Sequence, residues 1–103
     1  MKGLVILGST GSVGRQALEV VRSFENKFRI IGLTARDNYA ELSEQVREFE
    51  PSFAALNSEP GQQIGTASWI MQDELVRKPE VDIVVVAIPG LGGLSSTLTA
   101  ISY

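Results

Sequence analysis

Three glycines near the N-terminus have the spacing and surroundings of a phosphate-binding turn. Gly8, Gly11 and Gly14 form a Gly-x-x-Gly-x-x-Gly pattern, one residue longer in its first interval than the familiar dinucleotide fingerprint. A bound phosphate needs close approach of the backbone, free N–H donors and the positive end of a helix. We expect Gly8 to allow a sharp exit from a strand, Gly11 to admit a diphosphate, and Gly14 to let a helix pack closely.

Other residues of this turn add to the same prediction. Thr10 and Ser12 bring hydroxyl donors, and Val13 begins a helix and could support a dinucleotide from below. The alternative is a tight strand-to-helix turn that binds nothing. We favour dinucleotide binding because an apolar strand precedes the turn, and an amphipathic helix and a second strand follow it.

The residues after the second predicted strand decide which dinucleotide is bound. NAD sites usually place an acidic side chain there for the ribose 2′-hydroxyl, whereas NADP sites place a cation near the 2′-phosphate. Arg36 could pair with that phosphate, and Asp37 would repel it. We favour NADP because Asp37 lies beyond the predicted strand end, and Asn38 is a third candidate. The alternatives are an exposed ion pair of Arg36 with Asp37, and a helix cap for Asn38.

A third candidate segment follows the last apolar run of the sequence. Ala87, Ile88 and Pro89 come at the end of a predicted strand, with glycines directly after them. Ligands of parallel sheets bind outside the carboxyl ends of the strands, so this segment would lie beside the glycine turn. The alternative is a plain turn before a helix.

The elements that must position these residues alternate between strand and helix. Apolar runs predict strands at residues 4–7, 28–33, 53–56 and 83–88. In the first helix the apolar period runs through Val13, Ala17, Val20, Val21 and Phe24. A second helix begins near Asn38 and stops at Pro51, a third covers residues 68–77, and Leu94, Leu98 and Ile101 predict a last one.

This alternation predicts an α/β fold, a Rossmann-like doubly wound parallel sheet of about four strands. Residues 1–103 form one dinucleotide-binding domain in this interpretation. The apolar stripe of the last predicted helix is still open at Tyr103, so we expect the domain to be incomplete and a catalytic domain to be absent. The alternative is a natural small domain with a frayed last turn.

Composition excludes several chemistries. The 103 residues contain no Cys and no His, so disulfides, thiol nucleophiles and His-activated hydroxyls are excluded. A net charge of −3 argues against nucleic acid as a partner. No apolar run approaches the ~20 residues that span a membrane, and we expect a cytoplasmic protein.

The motifs also resemble a known family. Residues 7–22 (LGSTGSVGRQALEVVR) look like the N-terminal signature of 1-deoxy-D-xylulose 5-phosphate reductoisomerase. The resemblance continues in residues 32–38, 44–51 and 85–98, and it covers most of the chain in register.

The resemblance implies an oxidoreductase of the non-mevalonate isoprenoid pathway. It would rearrange and reduce 1-deoxy-D-xylulose 5-phosphate to 2-C-methyl-D-erythritol 4-phosphate with NADPH and a divalent metal, Mg or Mn, as a homodimer. By this resemblance residues 10–13 match positions around the NADPH phosphates, and residues 36–38 match the adenosine ribose segment. The metal ligands would lie outside this chain. Alone, we expect it to bind cofactor weakly and to catalyse nothing.

Two other interpretations stay open at this point. One is the NADP-binding part of an aspartate-semialdehyde dehydrogenase-type reductase, whose start has a similar glycine spacing. The other is a non-catalytic dinucleotide-sensing module that is complete at this size.

Overall fold

A computed structural model of the chain describes residues 1–24, 26–89 and 96–102. For residues 88–89 and 96–102 the backbone alone is described. The elements follow in the order β1 (Lys2–Leu7), α1 (Ser12–Ser23), β2 (Phe28–Ala35), α2 (Tyr39–Phe49), β3 (Phe53–Leu56), α3 (Gln72–Leu75), β4 (Ile83–Pro89) and β5 (Ser96–Ser102).

The five strands form one sheet in the order β3-β2-β1-β4-β5. The strands β1 to β4 are parallel, as predicted, and Leu7 of β1 lies between Thr34 of β2 and Val86 of β4. The chain builds the sheet outward from β1 to β3 and then crosses back to place β4 on the other side of β1. The order therefore reverses between β1 and β4, which is where ligands bind in open α/β sheets.

Helices cover both faces of the sheet, which confirms the doubly wound prediction. On one face, Leu18 of α1 and Leu42 of α2 pack on Ile6 and Leu33. On the opposite face, Leu75 of α3 packs with Val5, Leu7, Ile31, Ile70, Val81 and Val84. Because strands β1 and β4 are apolar on both faces, they have the uninterrupted hydrophobic runs of a buried parallel sheet.

The buried face of α1 differs from the predicted one. Leu18 is 1% exposed, whereas Val20 and Phe24 are 50% and 52% exposed. Leu18 lies four residues after Gly14 and three before Val21, and this row faces the sheet. The predicted row was wrong at Val20 and Phe24 because several apolar series fit one short helix, and contact with the sheet selects among them.

The start of α2 is capped as the sequence predicts. The side chain of Asn38 accepts a hydrogen bond from the Glu41 N–H at 3.1 Å, which satisfies one of the free donors of the first turn. The Glu41 carboxylate pairs with Arg15 of α1 at 2.6 Å. The N-cap of α2 is therefore confirmed, and its glutamate ties α2 to α1.

Two helix predictions are corrected. The third helix is short, because Ser68 lies along the edge of β3 and its carbonyl accepts from the Ala54 N–H at 3.1 Å. The predicted last helix is wrong over Ser96–Ser102, which form β5, antiparallel to β4. Thr97, Thr99 and Ile101 are β-branched at every second position, and this pattern favours a strand. Leu94 lies outside the described residues.

Among the residues described, no helix combines the length and the apolar character needed to cross a membrane.

Candidate functional site

The turn after β1 is anchored to the neighbouring strand. Gly8 has a φ of 88°, a backbone conformation that residues other than glycine rarely adopt. The N–H groups of Gly8 and Ser9 both donate to the Thr34 carbonyl, at 2.9 Å and 2.8 Å. The chain therefore leaves β1 abruptly and reaches Gly11, the N-cap of α1, within a few residues.

Free backbone donors gather at the start of α1. The Arg15 N–H donates to the Gly11 carbonyl at 2.9 Å, and this is the first hydrogen bond of the helix. In the part of the chain that the structure describes, the N–H groups of Thr10, Ser12 and Val13 have no acceptor. Donors left free at a helix start, together with the helix dipole, form an environment that suits an anion.

A cleft of about 380 Å³ opens at the carboxyl ends of the strands. It is lined by Leu7, Gly8, Thr10, Gly11, Thr34, Arg36, Asp37, Asn38, Asn57, Gln72 and Ala87. Seven of the residues that the sequence singled out are brought together here: Gly8, Thr10, Gly11, Arg36, Asp37, Asn38 and Ala87. The glycine turn and the end of β2 therefore share one cleft, as two parts of a dinucleotide site must.

Gly11 leaves space in this cleft. A Cβ at this position would have the Gly8 oxygen at 3.7 Å and the Ala87 oxygen at 3.9 Å as its neighbours, both at ordinary contact distances. A larger side chain would extend into the space beside the free N–H donors. The backbone here is open to a diphosphate, so the residues present fit this group.

Ser12, Val13 and Gly14 form the first turn of α1 and do not line the cleft in this structure. Ser12 is exposed, Val13 is half-buried against the core, and Gly14 is buried. A role for these three residues in cofactor binding remains a prediction, carried by the backbone donors of the turn. Ile88 and Pro89 end β4, beside Ala87 in the chain.

Arg36 and Asp37 are both exposed at the end of β2. Among the described residues neither of them forms an ion pair, so the alternative of a mutual ion pair finds no support. The Arg36 carbonyl accepts from the Ser58 N–H at 2.8 Å, which fixes the backbone from which the guanidinium extends. Asn38 both lines the cleft and caps α2.

Sequence reasoning missed the apolar Leu7 and three polar residues that line the cleft. Thr34 is buried at the end of β2, Asn57 follows β3, and Gln72 begins α3. The position of Asn57 directly after a parallel strand was a usable signal, because strand ends converge at one edge of the sheet. No local signal marked Gln72, which reaches the cleft only through the crossover from β3 to β4.

Ion pairs join the outer faces of α1 and α2. Arg22 binds both Glu19 and Glu48, the latter at 2.7 Å, and Arg15 binds Glu41. Hydrogen bonding to Arg22 lowers the pKa of the Glu48 carboxyl, and hydrogen bonding to Glu41 raises the pKa of Arg15. A groove of about 510 Å³ runs between these helices. Its arginines are paired with its own glutamates, and we therefore place the candidate site at the strand ends.

The fold and the cleft together define a Rossmann-like α/β domain with its glycine turn at the switch point of the sheet. The family model described as 1-deoxy-D-xylulose 5-phosphate reductoisomerase matches residues 4–103, and the chain belongs to this family. This membership confirms the resemblance seen in the sequence. It does not favour an aspartate-semialdehyde dehydrogenase-type reductase or a separate sensing module.

Curated relatives show the same similarity. The chain is 42% identical over 112 residues to a 1-deoxy-D-xylulose 5-phosphate reductoisomerase of Thermoanaerobacter sp., covering 98% of this chain and 29% of the relative. It is 35% identical over 117 residues to that of Microcystis aeruginosa, covering 99% of this chain and 30% of the relative. The chain therefore spans less than a third of the length of these relatives.

Solved structures agree with the fold. A crystal structure of DOX-P reductoisomerase in complex with NADPH, fosmidomycin and magnesium superimposes with a TM-score of 0.78 at 29% identity. The match covers 91% of this chain and 26% of that one. A second crystal structure, in complex with magnesium, gives a TM-score of 0.77 with the same identity and coverage.

Proposed function

We propose that residues 1–103 bind NADPH and form the NADPH-binding portion of a 1-deoxy-D-xylulose 5-phosphate reductoisomerase. The observation that carries the proposal is the single cleft in which Gly11 and Arg36 meet. Membership of the family and similarity to a structure that holds NADPH support it.

Each end of the cleft suits a different part of the cofactor. The free N–H group of Thr10 lies in the lining of the cleft, and those of Ser12 and Val13 follow it at the start of α1. This end suits the diphosphate, because donors and helix dipole both favour negative charge. Arg36 suits the ribose 2′-phosphate, since a guanidinium can pair with it through two hydrogen bonds. Asp37 stands next to it in the chain and lowers the net positive charge there. When bound, NADPH supplies the hydride of the reduction, and this chain binds and orients it.

The reaction itself is proposed for the longer enzyme. By family membership it converts 1-deoxy-D-xylulose 5-phosphate to 2-C-methyl-D-erythritol 4-phosphate, in a cytoplasmic homodimer. Among the described residues no three acidic side chains come together as a metal site would require, and the chain has no His or Cys. The residues present do not fit a divalent metal, and we assign Mg or Mn to the remainder of the enzyme.

Calorimetric titration with NADPH and NADH tests the proposal. Because this chain holds only one part of the enzyme, the titration extends to millimolar concentrations. We expect NADPH to bind more tightly than NADH. Gly11→Val should lower the affinity for NADPH at least about tenfold, because the valine side chain would occupy the diphosphate space. Ala40→Val, at an exposed position of α2, is the control that introduces the same side chain away from the cleft. A wild-type chain that binds neither nucleotide would refute the proposal.

A chimera tests the activity. In the Thermoanaerobacter relative, the matching N-terminal portion is replaced by residues 1–103 of this chain, and NADPH consumption is followed with 1-deoxy-D-xylulose 5-phosphate. We expect an active chimera and a large loss of activity when it carries Gly11→Val. A folded chimera without activity argues against the proposed function.

A further inference from the structure

Gln45 of α2 is a buried polar side chain that does not line the proposed cofactor cleft. It is 6% exposed, whereas glutamine is mostly found at the surface. All its polar groups are bonded. The Oε1 accepts from the Ser9 hydroxyl at 2.6 Å, and the Nε2 donates to the Ser9 carbonyl at 3.0 Å and to Glu41 at 3.2 Å. This side chain therefore binds the residue that follows Gly8 in the glycine turn.

Every hydrogen-bonding group of Ser9 has a partner. Its N–H donates to the Thr34 carbonyl, and its hydroxyl and carbonyl both bind Gln45. It is 0% exposed, although it belongs to a surface turn. The turn is thus fixed on one side by the sheet and on the other side by α2.

The hydrogen bonds continue to the first helix. Glu41, which accepts from Gln45, also binds the Arg15 guanidinium through both carboxylate oxygens. The Arg15 N–H is the one that donates to the Gly11 carbonyl. Gln45 therefore contacts the turn directly at Ser9 and, through Glu41 and Arg15, the helix start that follows it.

We propose that Gln45 is a positioning residue that holds the turn from Ser9 to Val13 in the shape that receives the diphosphate of NADPH. This inference rests on the proposed function. Free N–H donors attract a phosphate strongly only when they already point toward it, because ordering a loose turn on binding weakens affinity. Gln45 does not touch the cleft, and its effect on binding passes through Ser9.

A purely structural role would leave a different signature. Removing buried hydrogen bonds lowers stability whatever their purpose, so a stability measurement alone does not distinguish the two roles. A positioning role also lowers the affinity for NADPH and makes the effects of Ser9 and Gln45 on that affinity non-additive.

The test compares Ser9→Ala, Gln45→Leu and the double variant, with NADPH titrated by calorimetry at a temperature where each is folded. Gln45→Leu removes the two bonds to Ser9 and should raise the Kd for NADPH about tenfold, and Ser9→Ala removes one and should raise it about threefold. The double variant should bind as Gln45→Leu does. Glu44→Leu, the exposed neighbour on α2, is the matched control and should leave the Kd unchanged.

Amide hydrogen exchange adds a readout that needs no ligand. In Gln45→Leu the Ser9 amide, which donates to Thr34, should exchange faster relative to the amide of Ile6 in β1. A uniform increase at both amides indicates a structural role only and overturns the inference.

The outcomes separate this inference from the proposed function. A folded Gln45→Leu that binds NADPH as tightly as the wild type overturns the inference and leaves the proposed function standing. A wild-type chain without NADPH binding overturns both. If Gln45→Leu does not fold, Ser9→Ala decides the question, and an unchanged Kd in that variant overturns the inference.

Discussion

Gly14 of α1 lies directly against the carbonyl oxygen of Gly8, where the chain leaves β1. A Cβ on Gly14 would come within 2.2 Å of that oxygen and 2.7 Å of the Ser9 Cα. The helix can start this close to the turn only because residue 14 has no side chain. The third glycine of the pattern therefore allows the close approach of helix and turn.

Gly14→Ala should destabilise the domain. Alanine favours a helix by about 1 kcal/mol over glycine, but here the overlapping atoms belong to the backbone and cannot move aside. We expect the clash to outweigh the helix preference and the free energy of unfolding to fall by about 2 kcal/mol, measured by urea denaturation. A variant at least as stable as the wild type contradicts the packing described for this turn.

Leu18→Ala tests which face of α1 is buried. Leu18 is 1% exposed between α1 and the sheet, and its truncation should lower the free energy of unfolding by about 3 kcal/mol. Val20→Ala on the exposed face is the control and should change stability by less than about 0.5 kcal/mol. The reverse order of effects in urea denaturation would show that the predicted apolar row is the buried one.

The regular elements could be predicted where the signal is local. Short apolar runs located β1 to β4, and Asn38 marked the start of α2. The buried face of α1 could not be predicted, because the sequence of this helix supports more than one apolar row. The length of α3 and the strand β5 depend on pairing with β3 and β4, which distant residues supply.

Glu48→Gln tests the ion pair between α1 and α2. Arg22 lowers the pKa of Glu48 below its ordinary value of 4.5, so this pair stabilises the folded state above that pH and is lost as the pH falls through the lowered pKa. Because both side chains are exposed to solvent, we expect a loss of only about 0.5 kcal/mol at pH 7.

The difference between wild type and Glu48→Gln should vanish when urea denaturation is repeated at a pH well below 4.5. Glu44→Gln removes the same charge from the same helix and serves as control. A difference that persists in acid would show that the carboxylate of Glu48 is not its source.

Arg36→Ala tests the choice between the two nucleotides. If the guanidinium pairs with the 2′-phosphate, its removal should lower the affinity for NADPH about tenfold and the affinity for NADH less than about twofold, as measured by calorimetry. Arg47→Ala removes the same charge from an exposed position of α2 and controls for the general electrostatic effect. Equal weakening of both nucleotides would exclude Arg36 as a ligand of the 2′-phosphate.

The candidate site was predictable in part. The glycine turn, the residues after β2 and Ala87 could be placed at one edge because strand ends converge in a parallel sheet. Gln45 could not be recognised, since its partner Ser9 lies 36 residues away in the chain and a glutamine in mid-helix resembles any surface residue. Contacts between residues so far apart in the chain depend on how α2 packs against the glycine turn, which no local pattern encodes.

The NADPH site at the glycine turn is tested most directly by an NMR titration of the isotope-labelled chain with NADPH, read from its backbone amides. If NADPH binds at the glycine turn, the largest shift changes should fall on residues 10–14 and 36–38, while Lys27 and Asp82, beside the amino-terminal end of β1, should stay unchanged. No change at millimolar NADPH, or a pattern centred away from the glycine turn, would contradict it.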